Sequence, residues 1–263
     1  MTCRIRTGDW KDKTMNLEGK RVLVVGSGKS GVAAAELLRK KGITFVLFDG
    51  NKDLDVTALI EKNPVFAGAE ILLGELAPED MARIDLVVLS PGVPTDLPMV
   101  NELRNRQIPI WGEIELAYHF AKGRIIAITG TNGKTTTTSL VGEIMANYFD
   151  DVKVVGNIGI PYTSVAADTT DETVTVAEIS SFQLETIDQF RPKVSAILNI
   201  TEDHLNRHHT MEEYIRVKEL ITKNQGPEDV CVLNYEDEVL RKFGENVVPK
   251  VVYFSCLLYT SDA

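Results

Sequence analysis

The sequence predicts an α/β fold built from two parallel-sheet units in succession, and three observations support that prediction. Short β-branched apolar runs, typical of buried parallel strands, alternate along the chain with helical patterns. Two of these runs, at residues 21–25 and 125–129, lead through glycine-rich turns into helices. The chain has 263 residues, 44% of them apolar and 25% charged, which fits roughly two globular domains.

Composition argues against several classes of protein. The net charge of −10 and the pI near 5.0 disfavour a nucleic-acid or anionic-membrane partner. No apolar run reaches the ~18 residues of a membrane span, and the N-terminus lacks the apolar core of a signal peptide. The cysteines Cys3, Cys231 and Cys256 have neither disulfide nor metal-site spacing, as expected in a reducing compartment. We therefore expect a cytoplasmic monomer.

The first unit begins with a buried strand at residues 21–25, followed by G-S-G-K-S-G at 26–31 and a helix over 32–41. A second strand at 43–48 ends in Asp49. This order of strand, G-x-G-x-x-G turn, helix and acid is the dinucleotide fingerprint and predicts a Rossmann-like unit. The ligand stays open, because the same turn holds any diphosphate. Alternatively, the glycines serve only close packing of the helix on the strand.

Further strands at 70–73 and 85–90 continue the first unit. The second of them ends in S-P-G-V-P at 90–94, which stops the strand and places the Ser90 hydroxyl at its carboxyl edge. Ligands bind at that edge in open α/β sheets. A helix at 98–106 and a short strand at 108–111 follow, and we place the boundary between the units near 112–123.

The second unit opens with a strand at 125–129 and the turn G-T-N-G-K-T at 130–135. Backbone N–H groups of such a turn converge on a phosphate, the lysine reaches the terminal phosphates and the following hydroxyl ligates Mg²⁺. The usual P-loop has glycine where this chain has Ile128, so the loop is a variant. The turn predicts an ATP site formed by Gly130, Thr131, Asn132, Gly133, Lys134, Thr135 and Thr136.

Acidic and polar side chains follow the later strands of this unit. A strand at 153–156 runs into a turn with Asn157, and a strand at 173–178 ends in Glu178. In a P-loop enzyme a strand-end acid of this kind holds Mg²⁺, although a solvated glutamate fits the same position. A further strand at 193–200 ends in a cluster of acid, imidazole and amide groups at 199–207.

A helix start signal, the capping box T-M-E-E, stands at 210–213. The apolar residues Met211, Tyr214, Ile215 and Ile221 fall on one stripe, and Lys218 lies in its middle. A lysine there must snorkel, pair with an acid or take part in chemistry, since burying an unpaired ammonium is costly.

We divide the chain into an N-terminal extension (1–14), a Rossmann-like unit (15–115), an incomplete P-loop-type α/β ATPase unit (116–255) and a tail (256–263). Residues 1–14 lack pattern, and Met15, shortly before the first strand, is the expected natural start. The tail lacks any helical or strand period and is interpreted as foreign sequence or a truncation scar.

Three motifs together resemble the Mur ligases, which make the peptidoglycan precursor peptide. They are G-T-N-G-K-T at 130–135, E-I-S-S-F-Q-L-E at 178–185 and N-I-T-E-D-H-L-N-R-H at 199–208, with Tyr214 and Lys218 beyond. The turn at 26–31, Asp49 and S-P-G at 90–92 resemble the uridine-nucleotide domain of the D-glutamate-adding members. The resemblance runs from residue 15 to 255. It departs at Gly50-Asn51, where the family shows a Thr-Arg-like pair, and in the family's third domain, which we expect to be absent.

The resemblance implies an ATP-dependent amide ligase. The γ-phosphoryl group of ATP would pass to the carboxylate of UDP-N-acetylmuramoyl-L-alanine, and the amine of D-glutamate would attack the acyl phosphate. Lys134 would hold the β- and γ-phosphates, Thr135 and Glu178 a first Mg²⁺, and His204 a second. Lys218 would carry a CO₂-derived carbamate that helps bind the second metal.

The resemblance also implies the substrate contacts. Asn157, Ser180 and Gln183 would contact the muramoyl-alanine end, and the uridine diphosphate would be lined by Lys29, Ser30, Asp49, Ser90 and Gly92. We expect this chain alone not to complete ligation, because an acyl phosphate needs closure against water. Three alternatives remain: an L-alanine-adding Mur ligase, a folylpolyglutamate synthase-like ligase, and an NAD-binding dehydrogenase module fused to a P-loop unit.

Overall fold

The computed structural model describes residues 16–257. The predicted extension at 1–14, the start at Met15 and all but the first two residues of the tail lie outside that range. Strands and helices alternate along the described chain as the sequence predicts, except that two helices follow one another between β9 and β10. The elements are β1 (Val22–Val25), α1 (Lys29–Lys40), β2 (Phe45–Asp49), α2 (Val56–Lys62), β3 (Glu70–Leu73), α3 (Pro78–Met81), β4 (Leu86–Leu89), α4 (Pro98–Asn105), β5 (Ile110–Gly112), α5 (Glu113–Phe120), β6 (Arg124–Thr129), α6 (Lys134–Ala146), β7 (Val152–Gly156), α7 (Thr163–Ala166), β8 (Val174–Glu178), α8 (Ser181–Leu184), β9 (Val194–Ile197), α9 (Leu205–His208), α10 (Met211–Glu219), β10 (Val230–Asn234), α11 (Glu238–Gly244) and β11 (Lys250–Phe254).

The first sheet has five parallel strands in the order β3-β2-β1-β4-β5. Val22 of β1 pairs with Phe45 of β2 on one side and with Leu86 of β4 on the other. The strand order reverses at β1, so the loops after β1 and β4 diverge and leave a crevice at the carboxyl edge. This arrangement confirms the Rossmann-like prediction and places the turn at 26–31 beside Ser90.

The second sheet has six parallel strands in the order β11-β10-β9-β6-β8-β7. Strand β6 lies between β9 and β8, so the G-T-N-G-K-T turn leaves the sheet between two loops that carry polar residues. Glu178 ends β8, and the 199–208 segment follows β9. The carboxyl edge of this sheet therefore gathers all three motifs.

The central strands β1 and β4 are buried along their whole length, which is why they are apolar throughout. In β1, Val22 and Val24 face one core cluster while Leu23 and Val25 face another. The first of these clusters continues through α5 into the second sheet, where it includes Val155 and Phe190. One apolar core thus joins the two sheets.

Several boundaries differ from the sequence predictions. Helix α1 begins at Lys29 and not at residue 32, because the last glycine of the turn already belongs to the helix. The interval 112–123, near which we place the boundary between the units, holds the buried helix α5, and that boundary stays a prediction. The short helices α2, α3, α7, α8, α9 and α11 were not predicted, since each has too few residues for a clear apolar period, and the strand β10 was overlooked. None of the helices in the described range has the length and apolarity to cross a membrane.

Candidate active site

The G-T-N-G-K-T turn has the backbone geometry of an anion cradle. Gly130 and Gly133 have φ angles of 150° and 80°, which a side chain would strain. A Cβ on Gly130 would also lie 3.0 Å from the Cβ of Leu198. Gly133 is the N-cap of α6, whose first N–H groups face the turn. The Lys134 Nζ donates to the carbonyls of Gly130 (2.9 Å) and Thr131 (2.8 Å), so it lies over the turn.

The loop after β9 holds this turn in place. The backbone N–H of Asn132 donates to the Asn199 Oδ1 (2.8 Å), and the Asn199 Nδ2 donates to the carbonyl of Asn132 (3.0 Å). The Thr131 hydroxyl lies 3.1 Å from the Tyr214 hydroxyl and accepts from the backbone N–H of Thr201 (3.0 Å). The predicted ATP site is therefore braced by the third motif and by α10.

Glu178 is an acid in direct contact with the turn. It is 1% exposed, and it accepts hydrogen bonds from the Thr135 hydroxyl (2.7 Å) and the Asn157 amide (2.8 Å). Both partners are neutral, so neither of them balances the charge of the buried carboxylate. Oxygen donors of this kind suit Mg²⁺, which keeps few protein ligands and completes its shell with water and phosphate oxygens. The residues present therefore fit a magnesium ion beside the turn.

Within residues 16–257 there is no group of three or more His, Cys, Asp or Glu side chains placed to hold a metal ion. The His204 ring packs 5.0 Å from the Phe182 ring, with its Nε2 3.4 Å from the Asp203 Oδ2. His204 is half exposed at the start of α9, with a left-handed φ of 54°. Its predicted role as a metal ligand stays a prediction.

Lys218 is buried, at 1% exposure, so the snorkelling alternative is wrong. Its Nζ donates to the Gly130 carbonyl (2.8 Å) and lies 4.7 Å from the centre of the Tyr214 ring. Burial, with the nearby charge of Lys134, lowers the pKa of Lys218 to about 7, against a smaller opposing effect of Asp203. Neutral amine is therefore available near neutral pH. On α10 the predicted stripe holds for Tyr214, and Met211 and Ile215 are half-buried against the core.

A groove of about 350 Å³ runs from the first sheet to the second. It brings together six of the eight predicted substrate residues, namely Lys29, Ser30, Ser90, Gly92, Asn157 and Gln183. The Lys29 Nζ donates across it to the Gly159 carbonyl. The Ser90 hydroxyl is buried and has no hydrogen-bond partner among the described residues, which is consistent with a ligand group at that position.

The other two predicted substrate residues do not line the groove. The Asp49 carboxylate accepts from the backbone N–H (3.0 Å) and hydroxyl (2.6 Å) of Ser27 and from the N–H of Asn51 (3.0 Å). Burial raises the pKa of Asp49, but these hydrogen bonds outweigh it and hold the pKa below its usual value. Asp49 thus orders the glycine-rich turn. Ser180 caps α8, where its hydroxyl accepts from the Gln183 N–H (3.3 Å) in a capping box.

The one acidic residue among the described residues that line the groove, Glu113, was missed by sequence reasoning. Glu113 is 2% exposed and accepts hydrogen bonds from the backbone N–H (2.6 Å) and the hydroxyl (2.9 Å) of Thr163. Burial raises its pKa despite these hydrogen bonds. The carboxylate ties the start of α5 to the start of α7. Its only sequence signal is an acid after Gly112, which reads equally well as a helix start.

Comparison with known families agrees with this geometry. The family model described as the Mur ligase middle domain matches residues 128–257, and the Mur ligase MurD-like N-terminal domain matches residues 20–112. The chain belongs to the Mur ligase family. The N-terminal match includes the glycine-rich turn at 26–31, and the middle-domain match includes the G-T-N-G-K-T turn at 130–135 and Glu178.

Two relatives place the chain within the Mur ligases. A UDP-N-acetylmuramoylalanine–D-glutamate ligase of Lachnoclostridium phytofermentans is 58% identical over 241 residues, and one of Clostridioides difficile is 50% identical over 242. Each alignment covers 92% of this chain and 53% of the relative. The chain thus spans about half the length of the curated Mur ligases that it matches.

Solved structures of Mur ligases share the fold. The UDP-N-acetylmuramate:L-alanyl-gamma-D-glutamyl-meso-diaminopimelate ligase of Neisseria meningitides aligns with a TM-score of 0.57 at 16% identity, covering 89% of this chain and 78% of that one. The UDP-N-acetylmuramate-alanine ligase of Thermotoga maritima aligns with a TM-score of 0.52 at 23% identity, covering 91% and 53%. The two-sheet α/β architecture is therefore that of the family.

Proposed function

We propose that the chain forms the uridine-nucleotide and ATP sites of a Mur ligase that adds D-glutamate to UDP-N-acetylmuramoyl-L-alanine in the cytoplasm. The names and identities of the two relatives support the D-glutamate-adding member over the L-alanine-adding alternative. A folylpolyglutamate synthase-like ligase is disfavoured by the MurD-like match at residues 20–112.

A single observation carries this proposal. The groove that starts at the turn after β1 reaches Asn157, and the Asn157 amide donates to Glu178, which in turn accepts from Thr135. A uridine nucleotide on the first sheet would therefore extend its far end toward the terminal phosphate of ATP on the second. That is the placement needed to phosphorylate the substrate's carboxylate, because phosphoryl transfer depends mainly on positioning and charge neutralisation.

The residues would divide the work as follows. Lys134 would leave the Gly130 and Thr131 carbonyls to bind the β- and γ-phosphates, and Thr135 and Glu178 would hold Mg²⁺. Magnesium, when bound, neutralises the phosphate oxygens. His204 and a carbamate on Lys218 would hold a second Mg²⁺. Asn157 and Gln183 would orient the muramoyl-alanine end of the substrate, and Ser180 would fix Gln183. The diphosphate would be bound by Lys29, Ser30, Ser90 and Gly92. Asp49 would order the glycine-rich turn at 26–31.

The bond changes balance in two steps. A carboxylate oxygen of the alanyl group attacks the γ-phosphorus, and the bond to the bridging oxygen breaks to give an acyl phosphate and ADP. The neutral amine of D-glutamate then attacks the acyl carbon. The tetrahedral intermediate loses inorganic phosphate, and the amine proton goes to solvent or base, leaving the amide.

Calorimetric titration tests the proposal. The purified chain is expected to bind UDP-N-acetylmuramoyl-L-alanine at one site. UDP should compete with this binding, and NAD should not. NAD binding that UDP-N-acetylmuramoyl-L-alanine does not displace would overturn the assignment and favour a dehydrogenase module. A chain with no affinity for either uridine ligand, but folded by circular dichroism, would contradict it too.

A further inference from the structure

A buried ion pair of the second unit, Arg207 with Glu185, is hydrogen-bonded to a loop of the first unit. The Arg207 Nη2 donates to the Glu185 Oε2 (2.8 Å) and to the carbonyl of Val93 (3.0 Å). The Thr95 hydroxyl donates to the same Glu185 oxygen (3.0 Å). Val93 and Thr95 belong to the loop after β4 of the first sheet, whereas Glu185 and Arg207 belong to the second. We propose that Glu185 and Arg207 are positioning residues that couple ligand binding in the groove to ligand binding at the nucleotide turn.

On the groove side, the pair holds the loop that lines the diphosphate end. Ser90 and Gly92 line the groove, and Val93 and Thr95 continue the same loop directly into the ion pair. A shift of Arg207 or Glu185 would therefore move the backbone that faces a uridine nucleotide.

On the nucleotide side, contacts continue to the G-T-N-G-K-T turn. The second Glu185 oxygen lies 3.4 Å from the His208 Nδ1, and the His208 Nε2 lies 2.9 Å from the Ser181 hydroxyl. The His208 ring packs 5.3 Å from the Tyr214 ring, and the Tyr214 hydroxyl is the group that meets Thr131. The pair thus connects, through packed side chains, with the residues that brace the ATP site.

Burial makes the pair effective as a connector. The Arg207 and Glu185 side chains are only 13% and 10% exposed, and Arg207 also stacks over the Phe182 ring at 5.0 Å. Removing one partner of such a pair leaves a poorly solvated charge, so the surrounding loops must rearrange. A ligand that orders one side of an intact pair lowers the ordering cost for a ligand on the other side, which appears as positive coupling.

The experiment measures that coupling in the 263-residue chain, and the identity of its two ligands rests on the proposed function. UDP-N-acetylmuramoyl-L-alanine is titrated calorimetrically with and without a saturating non-hydrolysable ATP analogue and MgCl₂. In the wild type the analogue is expected to raise the affinity on the order of tenfold, within the usual range of coupling between sites. In Glu185→Gln and Arg207→Lys the ratio of the affinities measured with and without the analogue should fall toward one, while each ligand alone still binds.

The matched control is Glu213→Gln. Glu213 pairs with Arg216 on the exposed face of α10, so this variant also removes one carboxylate charge, but from an ion pair within a single helix. It should keep the wild-type ratio of affinities with and without the analogue. Thr95→Val is the second variant. It deletes only the hydroxyl donor to Glu185 and keeps every charge, so it reports on the connection even if the charge variants fail to fold.

The outcomes are distinct. An unchanged ratio in Glu185→Gln, or in Thr95→Val when the charge variants do not fold, would overturn the coupling role. Independent binding of the two ligands in the wild type would overturn it as well. Absence of any uridine-ligand binding by the folded wild type would instead refute the proposed function, and with it this inference.

Discussion

At the scale of single residues, the most telling atom is the Gly130 carbonyl oxygen. The ammonium groups of Lys134 and Lys218 both donate to it, at 2.9 and 2.8 Å. Two cations sharing one neutral acceptor repel each other, which contributes to the lowered pKa of Lys218. An anion at the turn would relieve this repulsion, so the arrangement favours phosphate binding.

Replacing Lys134 by alanine is expected to weaken binding of an ATP analogue about tenfold to a hundredfold, the value of a charge-assisted hydrogen bond or two. Uridine-nucleotide binding should persist, because that ligand lies on the other sheet. Lys153→Ala, which removes a lysine paired with Asp151 away from the turn, serves as the control. Calorimetry showing both ligands lost from a folded Lys134→Ala chain would contradict the two-site assignment.

Lys218 is predicted to carry a carbamate. A buried amine with a lowered pKa attacks CO₂ as the neutral base and loses one N–H proton to solvent, and the carbamate formed is an anion that a metal ion can pair with. In a full-length Mur ligase with this sequence, Lys218→Ala should lose most activity, and acetate or formate should partly restore it. Full activity in Lys218→Arg would refute the carbamate, since a guanidinium cannot form one.

His208 gives a prediction for the pH dependence of stability. Burial lowers its pKa below 6.5, with the nearby Glu185 charge opposing the shift. The unfolded chain then binds a proton at higher pH than the folded chain does, so His208 makes the free energy of unfolding decrease as the pH falls through 6.5. In urea unfolding between pH 8 and 5, the free energy of unfolding should decrease less steeply with falling pH for His208→Gln than for the wild type.

The control for that measurement is His209→Gln, which alters an exposed neighbour whose side chain is 69% accessible. It should lose stability on acidification as the wild type does. Identical pH profiles for the His208 variant and the wild type would mean that burial of this ring does not set the slope.

At the scale of elements, the glycine-rich turn at 26–31 contains a glycine that the fold requires, Gly31, and one that could be replaced without a clash, Gly28. A Cβ on Gly31 would lie 1.9 Å from the Gly26 carbonyl oxygen, a backbone atom that cannot move aside. A Cβ on Gly28 would meet nothing within 4 Å. The helix N-terminus and strand β1 therefore approach each other only because residue 31 lacks a side chain.

Gly31→Ala is expected to lower the free energy of unfolding by about 1–3 kcal/mol, as overpacking does, and to weaken uridine-nucleotide binding. Gly28→Ala should unfold at the wild-type temperature. Thermal unfolding followed by circular dichroism checks both variants. A Gly31→Ala chain as stable as Gly28→Ala would show that the turn relaxes at little cost.

At the scale of the whole molecule, the shared core predicts one cooperative unfolding transition. Helix α1 of the first sheet packs against α5 and α7, and a single apolar cluster holds Val24 of β1 together with Ile197 of β9. Two sheets with separate cores would unfold separately, whereas a common core couples them.

Urea unfolding tests this with one variant in each sheet. Val24→Ala and Ile197→Ala each remove a buried side chain, which for large-to-small changes costs about 1–5 kcal/mol. Each should shift the same single transition, measured by far-UV circular dichroism. Two transitions, each moved by only one variant, would contradict the coupled core.

The sequence by itself determined features that depend on neighbours along the chain. Apolar runs gave the central strands, and glycines at 26, 31, 130 and 133 marked the turns where a side chain would clash or strain. The Thr210 cap marked the start of α10, and the apolar stripe singled out Lys218, although only the structure showed that this lysine is buried. Local sterics, capping and periodicity act within a few residues, so they can be recognised without the fold.

Only the tertiary structure decided which polar groups meet. Arg207 donates to the Val93 carbonyl, 114 residues away in sequence. Glu113 accepts from Thr163, 50 residues away, and the Asp49 carboxylate accepts from Ser27, 22 residues away. An acid or arginine looks the same in sequence whether it is solvated or buried, because its partners are set by the strand order that brings distant loops to one edge. The desolvation that makes those contacts strong exists only once the two sheets have packed together.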